Sequence, residues 1–219
     1  MRTILIAILL LAVPGLSQAQ TYFNSGGVAR TWEWSIAGIY QYKENSAGSG
    51  GSTIEIDPAL GLGINFAYNV TNKFSVGMDF EWLQPDYKAT RVSDTGETLT
   101  IDHYYSQFNG RLKGSYFCLD GPVTPYLEGG MGWTYMDSNV ADGPPSTGCW
   151  WTWYGYVCTN YYNTYSTTEF TYGGAVGVRY EMSNGTLIKL SYNTWVIDAG
   201  SDKADPNLAA LRLEFGWRF

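Results

Sequence analysis

The sequence predicts an all-β protein, an eight-stranded antiparallel up-and-down transmembrane β-barrel. Three observations carry this expectation. Segments in which apolar and polar residues alternate strictly recur along the chain. Short turns between them alternate with long polar connections. Beyond the first residues, no apolar run approaches the roughly 20 residues that a membrane helix needs. A chain that crosses hydrocarbon without helices must close its sheet, because only closure pairs every backbone N–H and C=O.

The first segment is set apart from this pattern. Arg2 is followed by an uncharged apolar stretch, Thr3 to Leu16, and then by Ser17-Gln18-Ala19, which fits the small-residue rule of a signal-peptide cleavage site. Residues 1–19 are therefore expected to be a leader and 20–219 the barrel domain. A membrane anchor fits less well, because Pro14-Gly15 interrupt the stretch. No Cys follows the cleavage site to carry a lipid.

In a strand, side chains point alternately to opposite faces. The first strand puts Trp32, Trp34, Ile36, Gly38, Tyr40 and Tyr42 on one face and Glu33, Ser35, Ala37 and Gln41 on the other. The second runs from Ile54 and Ile56 through Leu60, Leu62, Ile64 and Phe66, against Glu55, Asp57, Gly61, Gly63 and Asn65. The third sets Phe74, Val76, Met78, Phe80 and Trp82 against Ser75, Gly77, Asp79 and Glu81. The fourth opposes Tyr104, Phe108, Leu112 and Tyr116 to Gln107, Asn109, Arg111 and Lys113. Leu127, Met131, Trp133 and Tyr135 oppose Glu128, Gly130 and Gly132 in the fifth. The sixth opposes Phe170, Tyr172, Val176, Val178 and Tyr180 to Thr171, Gly173, Ala175, Gly177, Arg179 and Glu181. Ile188, Leu190, Tyr192 and Val196 face away from Lys189, Ser191 and Asn193 in the seventh. Leu211, Leu213, Phe215, Trp217 and Phe219 close the series against Arg212, Glu214, Gly216 and Arg218.

Apolar rows of this kind turn to lipid and polar rows to the lumen. The connections at 69–72, 119–122 and 183–185 are short and rich in turn-forming residues, whereas 43–52, 86–99, 138–166 and 199–206 are long. Short periplasmic turns, long extracellular loops and an even strand count leave both termini in the periplasm. An eight-stranded barrel is just wide enough for side chains to fill it. Its inward charges must then pair. They are Glu33, Asp79, Glu81, Arg111, Lys113, Glu128, Arg179, Glu181, Lys189, Arg212, Glu214 and Arg218, joined by Glu55 and Asp57 at the start of the second strand. The expectation is an ion-pair network that plugs the barrel.

Of the 3 cysteines, Cys149 and Cys158 bracket part of the third long loop and are expected to form a disulfide after export. Cys118, in a turn at the other end, is expected to stay a half-buried free thiol. The loop also holds Trp150, Trp151, Trp153, Tyr154 and Tyr156, so much aromatic surface that it reads either as a contact site or as a cap on the barrel mouth. No cofactor or metal site is expected, since the cysteines lack metal-site spacing and there is a single His. The net charge of −7 argues against nucleic acid.

From about Arg30 to Phe219 the chain resembles small eight-stranded outer-membrane barrels of the OmpA/OmpX type, and its Trp-Arg-Phe ending resembles their assembly signal. The resemblance implies a bacterial outer-membrane location, contact with membrane lipid and lipopolysaccharide, and handling by the barrel-assembly machinery. No peptidoglycan-binding domain is expected after the last strand. Some small barrels of this kind modify lipids, which draws attention to His103. Lipid-deacylating relatives place His and Ser two apart on one strand, whereas His103 and Ser106 here would point to opposite faces. The expected function is therefore non-enzymatic: envelope integrity or surface interaction through the loops. A channel or carrier for small hydrophobic molecules is the first alternative and a lipid-modifying enzyme the second.

Overall fold

The structure, a computed structural model, describes residues 28–47, 53–92, 98–153, 155–198, 200 and 205–219. The expected leader and Tyr154 lie outside the described residues. In chain order the strands are β1 Trp32–Gln41, β2 Glu44–Ala47, β3 Thr53–Ile56, β4 Ala59–Asn69, β5 Phe74–Leu83, β6 Asp86–Val92 and β7 Thr98–Tyr104. They continue as β8 Ser106–Phe117, β9 Val123–Ala141, β10 Ser146–Thr152, β11 Gly155–Tyr161, β12 Thr164–Glu181, β13 Thr186–Asp198 and β14 Asn207–Arg218.

Eight of these strands, β1, β4, β5, β8, β9, β12, β13 and β14, form a closed antiparallel barrel. Closure is made by β1 on β14, in register from Glu33–Arg218 to Gln41–Ala210. Apart from the starts of the second and fourth, each expected row becomes one face of this wall. Outward, an aliphatic belt of Ile36, Met78, Leu112, Met131, Val176 and Leu213 lies between two aromatic levels. Trp32, Phe74, Tyr116, Tyr180 and Trp217 mark the end with short turns, and Tyr40, Trp82, Phe108, Tyr135 and Tyr172 mark the other. Aromatic rings that are apolar in body and polar at one edge suit the two membrane–water interfaces.

The long connections are more ordered than polar loops. β2, β3, β6 and β7 pair into a four-stranded sheet, and β10 and β11 form a separate two-stranded hairpin. This corrects the second barrel strand. Ile54 and Ile56 belong to β3, and the ladder breaks before Ala59 at Pro58, which has no N–H to donate. Glu55 and Asp57 consequently do not face the lumen. Asp57 is exposed and Glu55 half-buried, and both pair with Lys43, whose hydrogen bond holds the Glu55 carboxyl below its usual range. Tyr104 likewise belongs to β7 rather than to barrel strand β8. Between the two strands Tyr105 turns inward and is buried.

The outer sheet is amphipathic because its strands also alternate. Glu55, Lys88 and Asp102 stand side by side on one face, and Ile54, Ala89 and Ile101 on the other. The apolar face continues inward to Ile56, which packs with Tyr105, Ile197 and Leu208 as a cap over the barrel mouth, flanked by Tyr87 and Met136.

Close strand approach explains at least one glycine of the wall. A Cβ on Gly132 would lie 2.1 Å from the carbonyl oxygen of Gly110 and 2.6 Å from Cα of Arg111. Both obstacles are backbone and cannot swing away. Gly132→Val is expected to destabilise the barrel by about 1–3 kcal/mol or more, the usual penalty for overpacking. A urea-unfolding midpoint equal to wild type would contradict this close approach.

Candidate functional site

Two regions concentrate chemistry: the filled lumen and the outer hairpin. In the lumen, β8 alone shows how alternation grades the interior. Its inward row reads Gln107, Asn109, Arg111, Lys113 and Ser115, with Tyr105 above. Among the described residues, six carboxylates and six cations meet there in ion pairs. Towards the short-turn end, Arg179 bridges Glu33 and Glu181 at 2.6 Å each. Lys189 joins Glu33 at 3.2 Å, and Arg218 joins Glu181 at 2.7 Å. Asn69 donates to Glu33 at 2.8 Å.

Farther in, Arg212 is the hub. It donates to Asp79, to Glu81 at 2.5 Å and to Glu214 at 2.8 Å. Arg111 takes the other side of Glu81 at 2.5 Å, and Lys113 links Asp79 at 3.7 Å to Glu128 at 3.0 Å. Ser35 donates to Glu214 at 2.6 Å. Bonds of this charge-assisted type are the strong ones. Their attraction mainly offsets the loss of hydration, so the network specifies one arrangement more than it adds net stability.

The charges do not fill the lumen to its outer mouth. Above Glu81 they give way to amides, with Asn109 donating to Glu81 at 3.0 Å and Gln107 donating to Asn109 at 3.0 Å. Above the amides sits the apolar cap. Sequence reading placed Gln41, Gln107, Asn109 and Asn193 on inward rows but attached no role to them. Trp195, also inward, holds its ring 4.2 Å beneath the Arg111 guanidinium. Alternation was the available signal for these residues; that they converge on one level depends on the shear between strands.

The hairpin is built differently. Cys149 and Cys158 are direct cross-strand partners with Cα atoms 4.0 Å apart, and they form a disulfide. The same register sets Trp151 opposite Tyr156 on the cysteine face, with ring centroids 5.2 Å apart. Trp150 stands opposite Val157 on the other face. The rings are only partly covered: Trp150 is 49 % exposed, Tyr156 58 %, Trp151 78 % and Trp153 95 %. From Gly143 to Thr168 there is no charged side chain. Cys118, at the short-turn end, is free and exposed rather than half-buried. Phe117 takes the inward position beside it, which turns the thiol outward.

His103 sits in β7 of the outer sheet, paired with Tyr87 of β6, and its Nδ1 accepts the backbone N–H of Tyr104 at 2.8 Å. The Ser106 hydroxyl accepts a long hydrogen bond from Gln84 at 3.4 Å. Among the described residues there is no group of three or more His, Cys, Asp or Glu placed to hold a metal ion.

A family model described as an outer membrane protein beta-barrel domain matches residues 3–219. None of the curated protein sequences compared with the chain matches it. Among solved structures, the outer membrane protein OprG from Pseudomonas aeruginosa is similar at 16% identity and a TM-score of 0.55, over 89% of this chain and 98% of that one. Neisserial surface protein A is similar at 15% identity and a TM-score of 0.51, over 85% and 95%. The attachment invasion locus protein Ail of Yersinia pestis, in complex with the heparin analogue sucrose octasulfate, is similar at 14% identity and a TM-score of 0.50, over 87% and 99%. At these identities the likeness is one of fold.

Proposed function

Since the chain belongs to the outer membrane protein β-barrel family, we propose that it is a non-enzymatic outer-membrane anchor that presents the β10–β11 hairpin to a surface partner. The observation that carries this reading is the disulfide-held, uncharged hairpin with Trp151 and Trp153 largely exposed. Rigid aromatic rings contribute contact area with little side-chain entropy to lose. Closing the loop between Cys149 and Cys158 removes further freedom, worth about 2–3 kcal/mol on the chain-entropy model. In this reading residues 1–19 are removed on export and the short turns and both termini face the periplasm. Lipopolysaccharide surrounds the outer rim, and the barrel-assembly machinery inserts the chain.

Charge narrows the partner. Across residues 42–58, 84–105, 136–169 and 198–206, thirteen side chains are acidic and four basic. Such an end repels polyanions, so a polysulfated sugar like the one bound by the Yersinia protein suits this chain poorly. A neutral glycan or an apolar protein surface suits the uncharged hairpin. An enzyme reading has less to stand on, because His103 spends Nδ1 on a backbone N–H.

Cells displaying Trp151→Ala/Trp153→Ala are expected to be retained on immobilised neutral glycans or surface proteins at least about tenfold less than cells displaying wild type. Cys149→Ser/Cys158→Ser should lower retention without changing the amount of folded barrel. Retention equal to wild type in both variants would reduce the hairpin to a cap.

A further inference from the structure

We infer that the cysteine face of the β10–β11 hairpin is a binding strip for a neutral glycan chain carried by an apposed surface. The inference rests on the reading of the hairpin as a contact surface and adds to it a face, a ligand class and a polar anchor. Three cross-strand pairs share the cysteine face: Thr147 with Asn160, Cys149 with Cys158 and Trp151 with Tyr156. All six residues are exposed. The opposite face is half-buried at Gly148, Thr152, Gly155 and Val157. The hairpin therefore has one open side, and the disulfide lies at its centre. No charged side chain occurs from Gly143 to Thr168, so an ionic ligand would find no counter-charge on this strip.

The two ends of the strip differ in chemistry. At the tip, the Trp151 and Tyr156 rings are inclined at 54° with centroids 5.2 Å apart. The face of an aromatic ring is electron-rich and attracts the positive edge of C–H groups. At the base, the Thr147 hydroxyl donates to Oδ1 of Asn160 at 2.7 Å. That bond fixes the amide, leaving its N–H groups to donate and the Thr147 oxygen to accept. A pyranose with equatorial hydroxyls answers both ends, because C–H groups cover its faces and hydroxyls its edge. An apolar protein surface would strip water from the Asn160 amide and return no acceptor, which is costly. The two pairs are four residues apart, about 13 Å along the strand, more than one sugar ring covers. The ligand is therefore a chain of at least two rings. Position selects its source. β9 continues from Tyr135, at the outer aromatic level, to Ala141, about 20 Å of strand. The hairpin begins beyond that point, clear of the headgroups, where chains borne by another surface reach it.

The experiment is a titration of the ¹⁵N-labelled mature protein, refolded in lipid nanodiscs with its disulfide intact, with cellotetraose, a neutral β-linked glucose tetramer. The Trp151 indole and Asn160 amide signals are expected to shift and saturate, and glucose alone should bind at least about tenfold more weakly. Asn160→Ala should weaken cellotetraose binding about threefold to tenfold, the effect of one lost hydrogen bond. Trp151→Ala should weaken it further. Thr159→Ala, the neighbouring position on the opposite face, should bind as wild type does. Polysaccharide released from the cell's own lipopolysaccharide should not compete at equal sugar concentration. Wild-type binding in Asn160→Ala, an equal loss in Thr159→Ala, or full competition by the cell's own polysaccharide would overturn the inference. If cellotetraose gives no saturable shift while Trp151→Ala/Trp153→Ala cells still lose retention on surface proteins, the glycan inference falls and the contact reading stands. If that retention is also unchanged, both fall.

Discussion

Arg212→Met is expected to cost the folded barrel at least about 3–5 kcal/mol, the loss seen when one partner of a buried ion pair is removed. Arg212 is buried on β14 and donates to Asp79, Glu81 and Glu214. Methionine fills a similar length but leaves those carboxylates short of a cation. Arg111 still reaches Glu81, and Lys113 still reaches Asp79, but Glu214 keeps only the Ser35 hydroxyl among the hydrogen bonds described. The measurement is the urea-unfolding midpoint in lipid vesicles, followed by tryptophan fluorescence. Lys43→Met is the control, since Lys43 pairs with Glu55 and Asp57 on the exposed outer sheet. Exposed pairs contribute little, so its midpoint should stay at the wild-type value. Equal midpoints for the two variants would mean that water reaches the network and solvates the stranded carboxylates.

The second large effect belongs to the opposite face of the wall. Leu112→Arg should destabilise by about 2–4 kcal/mol, the penalty for a cation at the midplane of the lipid face. Leu112 is exposed on β8 between Met78 and Met131, its direct partners on the neighbouring strands. These are residues of the aliphatic belt, away from both aromatic levels. Trp82→Arg, at one of those levels, should cost less, because an arginine near the interface can extend its head to water. If the order is reversed, the belt is misplaced relative to the bilayer.

How much of this was legible in advance differs from residue to residue. The inward set from Glu33 to Arg218 was readable because period-two alternation is a local property. Once the apolar row faces lipid, the polar row has nowhere to go but the lumen. Glu55 and Asp57 misled the same rule, since they continue the alternation of Leu60 and Leu62 past the end of the membrane-spanning ladder. Pro58 was the available warning. The segments 43–52 and 86–99 looked like polar loops because strands surrounded by water need no unbroken apolar row. Their pairing rests on backbone hydrogen bonds that extend the barrel ladders outward.

The eight spanning segments, the turn order and the cross-strand cysteine pair are therefore written in the chain itself. Each depends on residues close in sequence or on a periodicity that needs no knowledge of distant strands. Which carboxylate meets which cation is a different matter. Arg212 and Asp79 lie 133 residues apart, and Arg179 and Glu33 lie 146 apart. They meet only because closure and strand stagger bring those rows to one level. The amide level below the cap arises in the same way: Gln41, Gln107 and Asn193 come from β1, β8 and β13, no two of which are neighbours in the wall. Alternation sets the direction of a side chain, whereas its partner across the lumen follows from the geometry of the closed wall.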